Sequence, residues 1–269
     1  MPKIAGIKVY SENVFLKKYK KIKELQKSGN SVVYLYQNIV TNELFAVKKI
    51  TINNKKKNKT RKSIINEIKM QNKVKNDNIL YVKEIYFNKK ELIFSLIYEY
   101  SEHGDFVDFM INNEIDDELC KNLIKQIVTV ILQLHNVNIT HCDIKPDNFI
   151  IFKKDGKIKL KLTDFGFSHE DVKKSGYGTK AYRPPEQCSK TPISSIKGDI
   201  WSMGILFFCT LTKKLPVGRC NATKNIMEYE TNKELIKNKH ALDLFSKMLI
   251  INPEDRISCN EILLHKYLE

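Results

Sequence analysis

The apolar positions change texture near residue 100. Before it, "VVYLYQNIV", "LFAVKKITI", "ILYVKEIYF" and "LIFSLIYEY" are short β-branched and aromatic runs separated by polar turns, which predicts an antiparallel sheet. One helix interrupts them: "KSIINEIKMQNKV" sets Ile64, Ile65, Ile68 and Val74 in a stripe at helical spacing. Beyond residue 100 helices dominate. "DELCKNLIKQIVTVILQLH" is too densely apolar for a surface helix and predicts a buried one. "DIWSMGILFFCTLT" predicts a second, and the final third reads as further helices ending in "CNEILLHKYLE". Between them "GKIKLKLTDFGFS" reads as a β-hairpin arm that runs into Asp164. The pattern is that of an α+β chain with two lobes, a β-rich one of about 100 residues and a helical one, joined near Glu99 to Gly104.

Composition narrows this picture without redirecting it. A chain of 269 residues with 42% hydrophobic positions can bury a substantial core. "MPKIAGIKVYSENVFLKKYKK" has no continuous apolar stretch of the signal-peptide kind, and no later run reaches membrane-span length, so the chain is expected to stay inside the cell. Cysteines at 120, 142, 188, 209, 220 and 259 show neither C-x-x-C pairing nor metal-ligand spacing with histidine, and are expected to be free thiols. The formal charge of +15 first suggests an anionic partner. Its lysines, however, are interleaved with asparagine and isoleucine along the whole chain, which predicts a solvated basic surface with no specific nucleic-acid or membrane partner.

Candidate chemistry gathers in "ITHCDIKPDNFII", where His141, Cys142 and Asp143 are adjacent. A cysteine beside a histidine suggests a thiolate and its base. In an extended segment neighbours point to opposite sides, so His141 and Asp143 can face the same way while Cys142 turns from both. Asn148 and Asp164 offer the oxygen ligands that Mg²⁺ prefers, Asp143 is a carboxylate that need not bind metal, and Lys145 adds a positive charge. In the β-rich half, Lys48 ends the apolar strand "FAVKK" and Glu67 lies on the following helix, within reach of an ion pair. These are the parts of a phosphoryl-transfer site.

In this order, from about Lys20 to the C-terminus, the motifs resemble the eukaryotic protein kinase family. "FAVK" resembles the family's V-A-I-K, "HCDIKPDN" its H-R-D-x-K-x-x-N loop, "DFG" its metal-binding motif, "YRPPE" its A-P-E and "DIWSMG" its D-x-W-S-x-G. Arg256 in "NPEDRIS" matches the arginine that pairs with the A-P-E glutamate, here Glu186. The resemblance implies a bilobal protein kinase fold: residues 1–19 an N-terminal extension and 20–269 the kinase domain, with an N-lobe over 20–98, a hinge over 99–104 and a C-lobe over 105–269. It implies ATP and Mg²⁺ as cofactors and protein substrates acted on by a monomer. Asp143 is then the catalytic base, Lys145 neutralises charge on the transferred group, Thr179 packs against the base, and Asn148 and Asp164 hold Mg²⁺. Lys48, with Glu67 as its partner, would grip the α- and β-phosphates. Ser28 and Gly29 lie in the phosphate loop, Val33, Ala46 and Ile150 sandwich the adenine, Glu99 and Ser101 offer it hinge backbone, Asp105 reaches the ribose, and Tyr98 is the gatekeeper. Lys145, two residues after the base, is the serine/threonine pattern. His141 becomes a structural histidine below Phe165.

Several positions depart from the family pattern. Where it has G-x-G-x-x-G-x-V this chain has "QKSGNSVV", with Gln26, Ser28 and Ser31 in place of the glycines, which predicts weaker ATP binding. That loop motivates an alternative, a pseudokinase acting as a binding or scaffolding module. Gln71 replaces an apolar helix position and is expected to loosen the Lys48–Glu67 pair. Cys142 stands where most relatives have an arginine that gathers an activation-loop phosphate, so phosphorylation of Ser175, at the usual activating position, is expected to matter little. Asp105 and Asp147 suggest basic residues before the phosphosite, whereas Arg183 suggests proline after it, and the two hints conflict.

Overall fold

The computed structural model describes residues 3–52, 57–170, 173–174, 178–188, 193–216 and 233–269. Its contacts divide into two compact units, Met1–Lys73 with Leu80–Glu102, and Val74–Ile79 with His103–Glu269.

The first unit is built on a seven-stranded sheet: β1 (Lys3–Ile4), β2 (Ile7–Ser11), β3 (Tyr19–Ser28), β4 (Ser31–Asn38), β5 (Leu44–Thr51), β6 (Glu84–Asn88) and β7 (Ile93–Glu99), in the order β1-β2-β6-β7-β5-β4-β3. Helix α1 (Glu12–Lys18) follows β2, and α2 (Lys57–Gln71) follows β5. The expected antiparallel sheet needs one correction, because β2 runs parallel to β6. Chain connection explains it: the helical turn of α1 and the whole of β3 to β5 separate β2 from β6, so no tight hairpin dictates their direction. The run "ILYVKEIYF" becomes a strand only from Glu84.

Alternation gives this sheet two distinct faces. Phe45, Val47, Tyr36, Tyr86 and Ile97 share one buried cluster, into which α1 inserts Phe15. The Phe15 ring lies 5.0 Å from Tyr36 and 5.2 Å from Tyr86, centroid to centroid. Ala46 and Lys48 are the intervening positions of β5 and point the opposite way. Register sets Val33 and Leu96 opposite Lys48, and Tyr98 opposite Ala46.

In the second unit α3 (Phe106–Asn112) and α4 (Asp117–His135) lead to β8 (Ile139–Thr140). The α4 span is the one that its periodicity predicts, and the Asp116 carboxylate caps it by accepting from the Leu119 amide at 2.7 Å. The hairpin arm is real: β9 (Phe149–Lys154) pairs antiparallel with β10 (Lys157–Leu162). Next come β11 (His169–Glu170), which pairs with β8, and β12 (Lys173–Lys174), which pairs with β13 (Ile193–Ser194). Helix α5 (Ile196–Thr212) is buried on all sides from Gly198 to Thr210, with α6 (Lys239–Met248) and α7 (Cys259–Leu263) completing the described helices. None of the described helices is long and apolar enough to cross a membrane.

Cys120, Cys142, Cys209 and Cys259 are buried free thiols. Burial pushes Cys120, Cys209 and Cys259 up to about 12, so they stay protonated. Cys188 corrects the expectation of free thiols throughout, because it is disulfide-bonded. Bridging depends on closeness in space, which cysteine spacing along a chain does not encode.

Candidate active site

In the first unit, strand β5 and helix α2 bring Lys48 and Glu67 together, with Nζ 3.2 Å from Oε1. Glu67 is buried, and the Tyr98 hydroxyl donates to the same oxygen at 3.3 Å. A buried carboxylate needs such partners, and a lysine held by one cannot swing freely. Gln71, one turn beyond Glu67, is 2% exposed, and its amide nitrogen has no partner among the described residues, while the Lys48–Glu67 pair beside it is formed. Gly29 has φ 53° in the turn between Ser28 and Ser31, which face each other across the β3–β4 hairpin. The Ser31 hydroxyl donates to the Ser28 carbonyl at 3.0 Å, so a side chain helps close the loop. Val33 and Ala46 lie half-buried on the Lys48 face, and Glu99 and Ser101 lie at the end of β7 and just after it.

The second unit concentrates its polar groups between β8 and β9. Asp143 is 5% exposed. Its Oδ1 accepts from the Thr179 amide at 2.7 Å and the Thr179 hydroxyl at 2.8 Å. Lys145 donates to that same hydroxyl at 2.8 Å and lies 3.3 Å from Asp143 Oδ2. Asn148 donates its amide nitrogen to the Asp143 carbonyl at 2.7 Å and to Oδ2 at 3.1 Å, which leaves its oxygen, the atom a cation needs, out of those bonds. The Thr163 amide donates to the Asn148 carbonyl at 2.9 Å, tying the residue before Asp164 to the same loop. Asp164 takes a left-handed conformation, φ 60°. Asn148 and Asp164 carry oxygen donors of the kind Mg²⁺ takes, since that ion characteristically uses one or two carboxylates and fills its remaining positions with phosphates and water.

His141 is fully buried, its ring edge-on to Phe165 at 5.0 Å. Burial holds its imidazole below the ordinary range, although the charges of Asp199, Asp143 and Asp164 pull the other way. The neutral ring is therefore the favoured form. Asp105 caps α3 by accepting from the Asp108 amide at 3.0 Å. Burial, joined by the charges of Asp108 and Asp147, raises its carboxyl above the usual range. Ile150 bridges to Asp105. Ser175 lies outside the described residues.

Sequence reasoning did not find Asp199 as a functional residue, although it opens the "DIWSMG" motif. Its buried carboxylate accepts from the His141 amide at 2.8 Å and the Cys142 amide at 2.9 Å, and its Oδ2 lies 3.1 Å from His135 Nε2. Burial alone would raise its pKa, but the His135 hydrogen bond and charge, with help from His141, leave it lowered. Cys142 needs such support because it has φ 69°, a region unfavourable to side chains with a Cβ. Opposite it Gly178 has φ 93°, and a Cβ there would lie 2.1 Å from the Cys142 carbonyl oxygen. Only glycine lets the segment carrying Thr179 approach Asp143 this closely.

The model of the protein kinase domain family matches residues 19–268. The chain belongs to the protein kinase domain family. This kinase domain is 31% identical over 211 residues to the probable serine/threonine-protein kinase HSL1 of Saccharomyces cerevisiae, covering 76% of the chain and 14% of that protein. It is 31% identical over 273 residues to the serine/threonine-protein kinase cds1 of Schizosaccharomyces pombe, covering 93% of the chain and 58% of that protein. The SNF-related serine/threonine-protein kinase of Homo sapiens is 31% identical over 258 residues, 92% of the chain and 33% of its own length. The chain thus spans less than two thirds of each of these relatives.

Two further contacts fit the kinase domain motifs. Arg256 is 1% exposed and grips Glu186 with both terminal guanidinium nitrogens, at 2.9 and 3.2 Å. Arg183 donates through Nε to the Gly178 carbonyl at 2.8 Å, so it steadies the residue before Thr179.

Proposed function

We propose that this kinase domain transfers the γ-phosphate of ATP to serine or threonine hydroxyls of protein substrates. The observation that carries the reading is the closed set of bonds joining Asp143, Lys145, Asn148 and Thr179. Asp143 orients the incoming hydroxyl and takes its proton as oxygen bonds to the γ-phosphorus and the bond to the bridging oxygen of the leaving diphosphate breaks. Lys145 offsets charge on the group in transit, and Thr179 holds both residues in register. Lys48, fixed by Glu67, binds the α- and β-phosphates. Asn148 and Asp164 hold Mg²⁺, which supplies charge neutralisation to the phosphates. Val33, Ala46 and Ile150 contact the adenine, Glu99 and Ser101 present hinge backbone to it, Asp105 takes the ribose, and Ser28 and Gly29 offer backbone amides to phosphate.

The names of the serine/threonine-protein kinases that the chain resembles support the hydroxyl class. The alternative of a scaffolding module rests on the missing glycines alone, and the Gly29 turn answers part of that objection. The reading takes the chain as an intracellular monomer without a nucleic-acid or membrane partner.

Calorimetric titration with ATP tests it. Binding should need Mg²⁺, and Lys48→Met should abolish transfer while preserving the fold. Equal binding in EDTA together with undiminished turnover by Lys48→Met would overturn the assignment.

A further inference from the structure

The Cys142 thiol meets a histidine distant in sequence. Its Sγ lies 3.3 Å from His169 Nε2 and 3.0 Å from Ser194 Oγ, and those two atoms are 2.9 Å apart. The three side chains come from separate stretches: the loop after β8, the first strand after Asp164-Phe165-Gly166, and β13, just ahead of α5. All are buried, at 6%, 2% and 0% exposure. Hydroxyl and thiol can each donate and accept, whereas Nε2 does one or the other; with Nε2 carrying the proton, it donates to Ser194, Ser194 donates to the thiol, and the thiol donates to the Thr140 carbonyl at 3.9 Å, so the contacts are met by neutral groups. The surrounding backbone follows the same joints. His169 pairs with Thr140 in the β8–β11 ladder, and Ser194 pairs with Lys173 in the β12–β13 ladder. The Cys142 carbonyl abuts Gly178, and one residue further along Asp143 receives both bonds from Thr179.

We propose that Cys142, His169 and Ser194 are positioning residues that fasten the segment after Asp164 to the catalytic loop, and so hold Thr179 against Asp143 without any phosphate. This rests on the phosphotransfer reading above and adds its regulation. The side-chain contact that joins these stretches is a neutral thiol–imidazole–hydroxyl one. The active arrangement is therefore built in when the chain folds.

The test uses the full chain, made in bacteria, treated with phosphatase and checked by mass spectrometry. Wild type should keep its activity after that treatment. Cys142→Ala and Ser194→Ala each strand buried polar partners and should lower kcat about tenfold with KM for ATP changed less than about threefold. Cys142→Ser keeps a donor and acceptor in place and should restore kcat to within about threefold of wild type. Should Cys142→Ala fail to fold, His169→Gln, which keeps a polar nitrogen at similar reach, replaces it and is compared with His169→Leu, which does not. Hydrogen exchange at the His169 and Glu170 amides reads the fastening independently of activity, and should quicken in the breaking variants only.

Loss of wild-type activity on dephosphorylation overturns the proposal. So does unchanged kcat and exchange in both alanine variants, lowered thermal stability without any change in kcat, or equal loss in Cys142→Ser and Cys142→Ala. If no variant or wild type shows transfer that depends on Asp143, the phosphotransfer reading fails, and the exchange data alone still decide the fastening.

Discussion

Thr179→Ala isolates the contribution of one hydroxyl. That hydroxyl donates to Asp143 at 2.8 Å and accepts from Lys145 at 2.8 Å. Hydrogen bonds to charged groups are worth about 1.5–3 kcal/mol each, and about 1.4 kcal/mol is tenfold in rate. Two complete losses would exceed a thousandfold at the upper end, but two contacts survive the change. The Thr179 amide still donates to Asp143 at 2.7 Å, and Lys145 still faces Asp143 directly at 3.3 Å. The net loss should therefore be close to one bond, about 10- to 100-fold in kcat. KM for ATP should barely move, because no nucleotide contact is assigned to Thr179. Steady-state kinetics on a serine/threonine peptide, with ATP varied, measures both constants. Thr179→Ser should recover most of the rate. An alanine variant within about twofold of wild type, or a serine variant as impaired as alanine, would refute the hydroxyl's role.

The remaining predictions address the fold, the phosphate loop and pH. Phe15→Ala removes the ring at the centre of the aromatic cluster, 0% exposed, and should cost about 3–5 kcal/mol in urea unfolding; a loss under about 1 kcal/mol would mean that α1 is not part of this core. Ser28→Gly with Ser31→Gly should lower KM for ATP by removing two Cβ atoms from the phosphate loop, whereas a higher KM would mean that the Ser31 hydroxyl's bond to the Ser28 carbonyl matters more. His141 has a folded-state pKa below its ordinary 6.5, so the unfolded chain takes the proton first as pH falls. Its contribution is complete above about 6.5 and shrinks as pH falls through the lower folded value, and Asp199, lowered from 3.8, extends the loss to stronger acid. The melting temperature of wild type should therefore fall between pH 7.5 and 5.5 more steeply than that of His141→Phe; parallel curves would remove His141 from the account.

Much of this architecture was legible in the sequence, and the reasons differ by element. Helix α4 was readable to the residue because nineteen positions repeat one period and aspartate caps its start. Strand β3 was not, since after Tyr19 every residue to Ser28 is exposed and no buried face imposes an alternation. The segment before it reads as an extension, yet Phe15 belongs to the core of the first unit, because one buried aromatic in a seven-residue helix leaves no periodic trace. Asp143, Lys145 and Asn148 could be singled out because they share the "HCDIKPDN" loop, and Thr179 because the family resemblance sets it against Asp143. The partners of Cys142 could not. His169 and Ser194 lie 27 and 52 residues further on, and the αL turn that aims the thiol at them follows from Asp199 holding the backbone. The extended backbone that would set Cys142 opposite His141 fails at Cys142 itself, φ 69°, and adjacency along the chain does not supply the histidine that Cys142 meets.

The central claim is that Asp143 is the base of a phosphotransfer site, and Asp143→Asn tests it most directly. The substitution keeps the size and one oxygen while removing the charge that would take a proton. Wild type and variant, each with ATP labelled in the γ position, Mg²⁺ and a protein substrate, are compared for label found on serine or threonine by mass spectrometry. Transfer by wild type and background levels in the variant, with the fold and nucleotide binding preserved, is the predicted result. Equal residual label in both would contradict it.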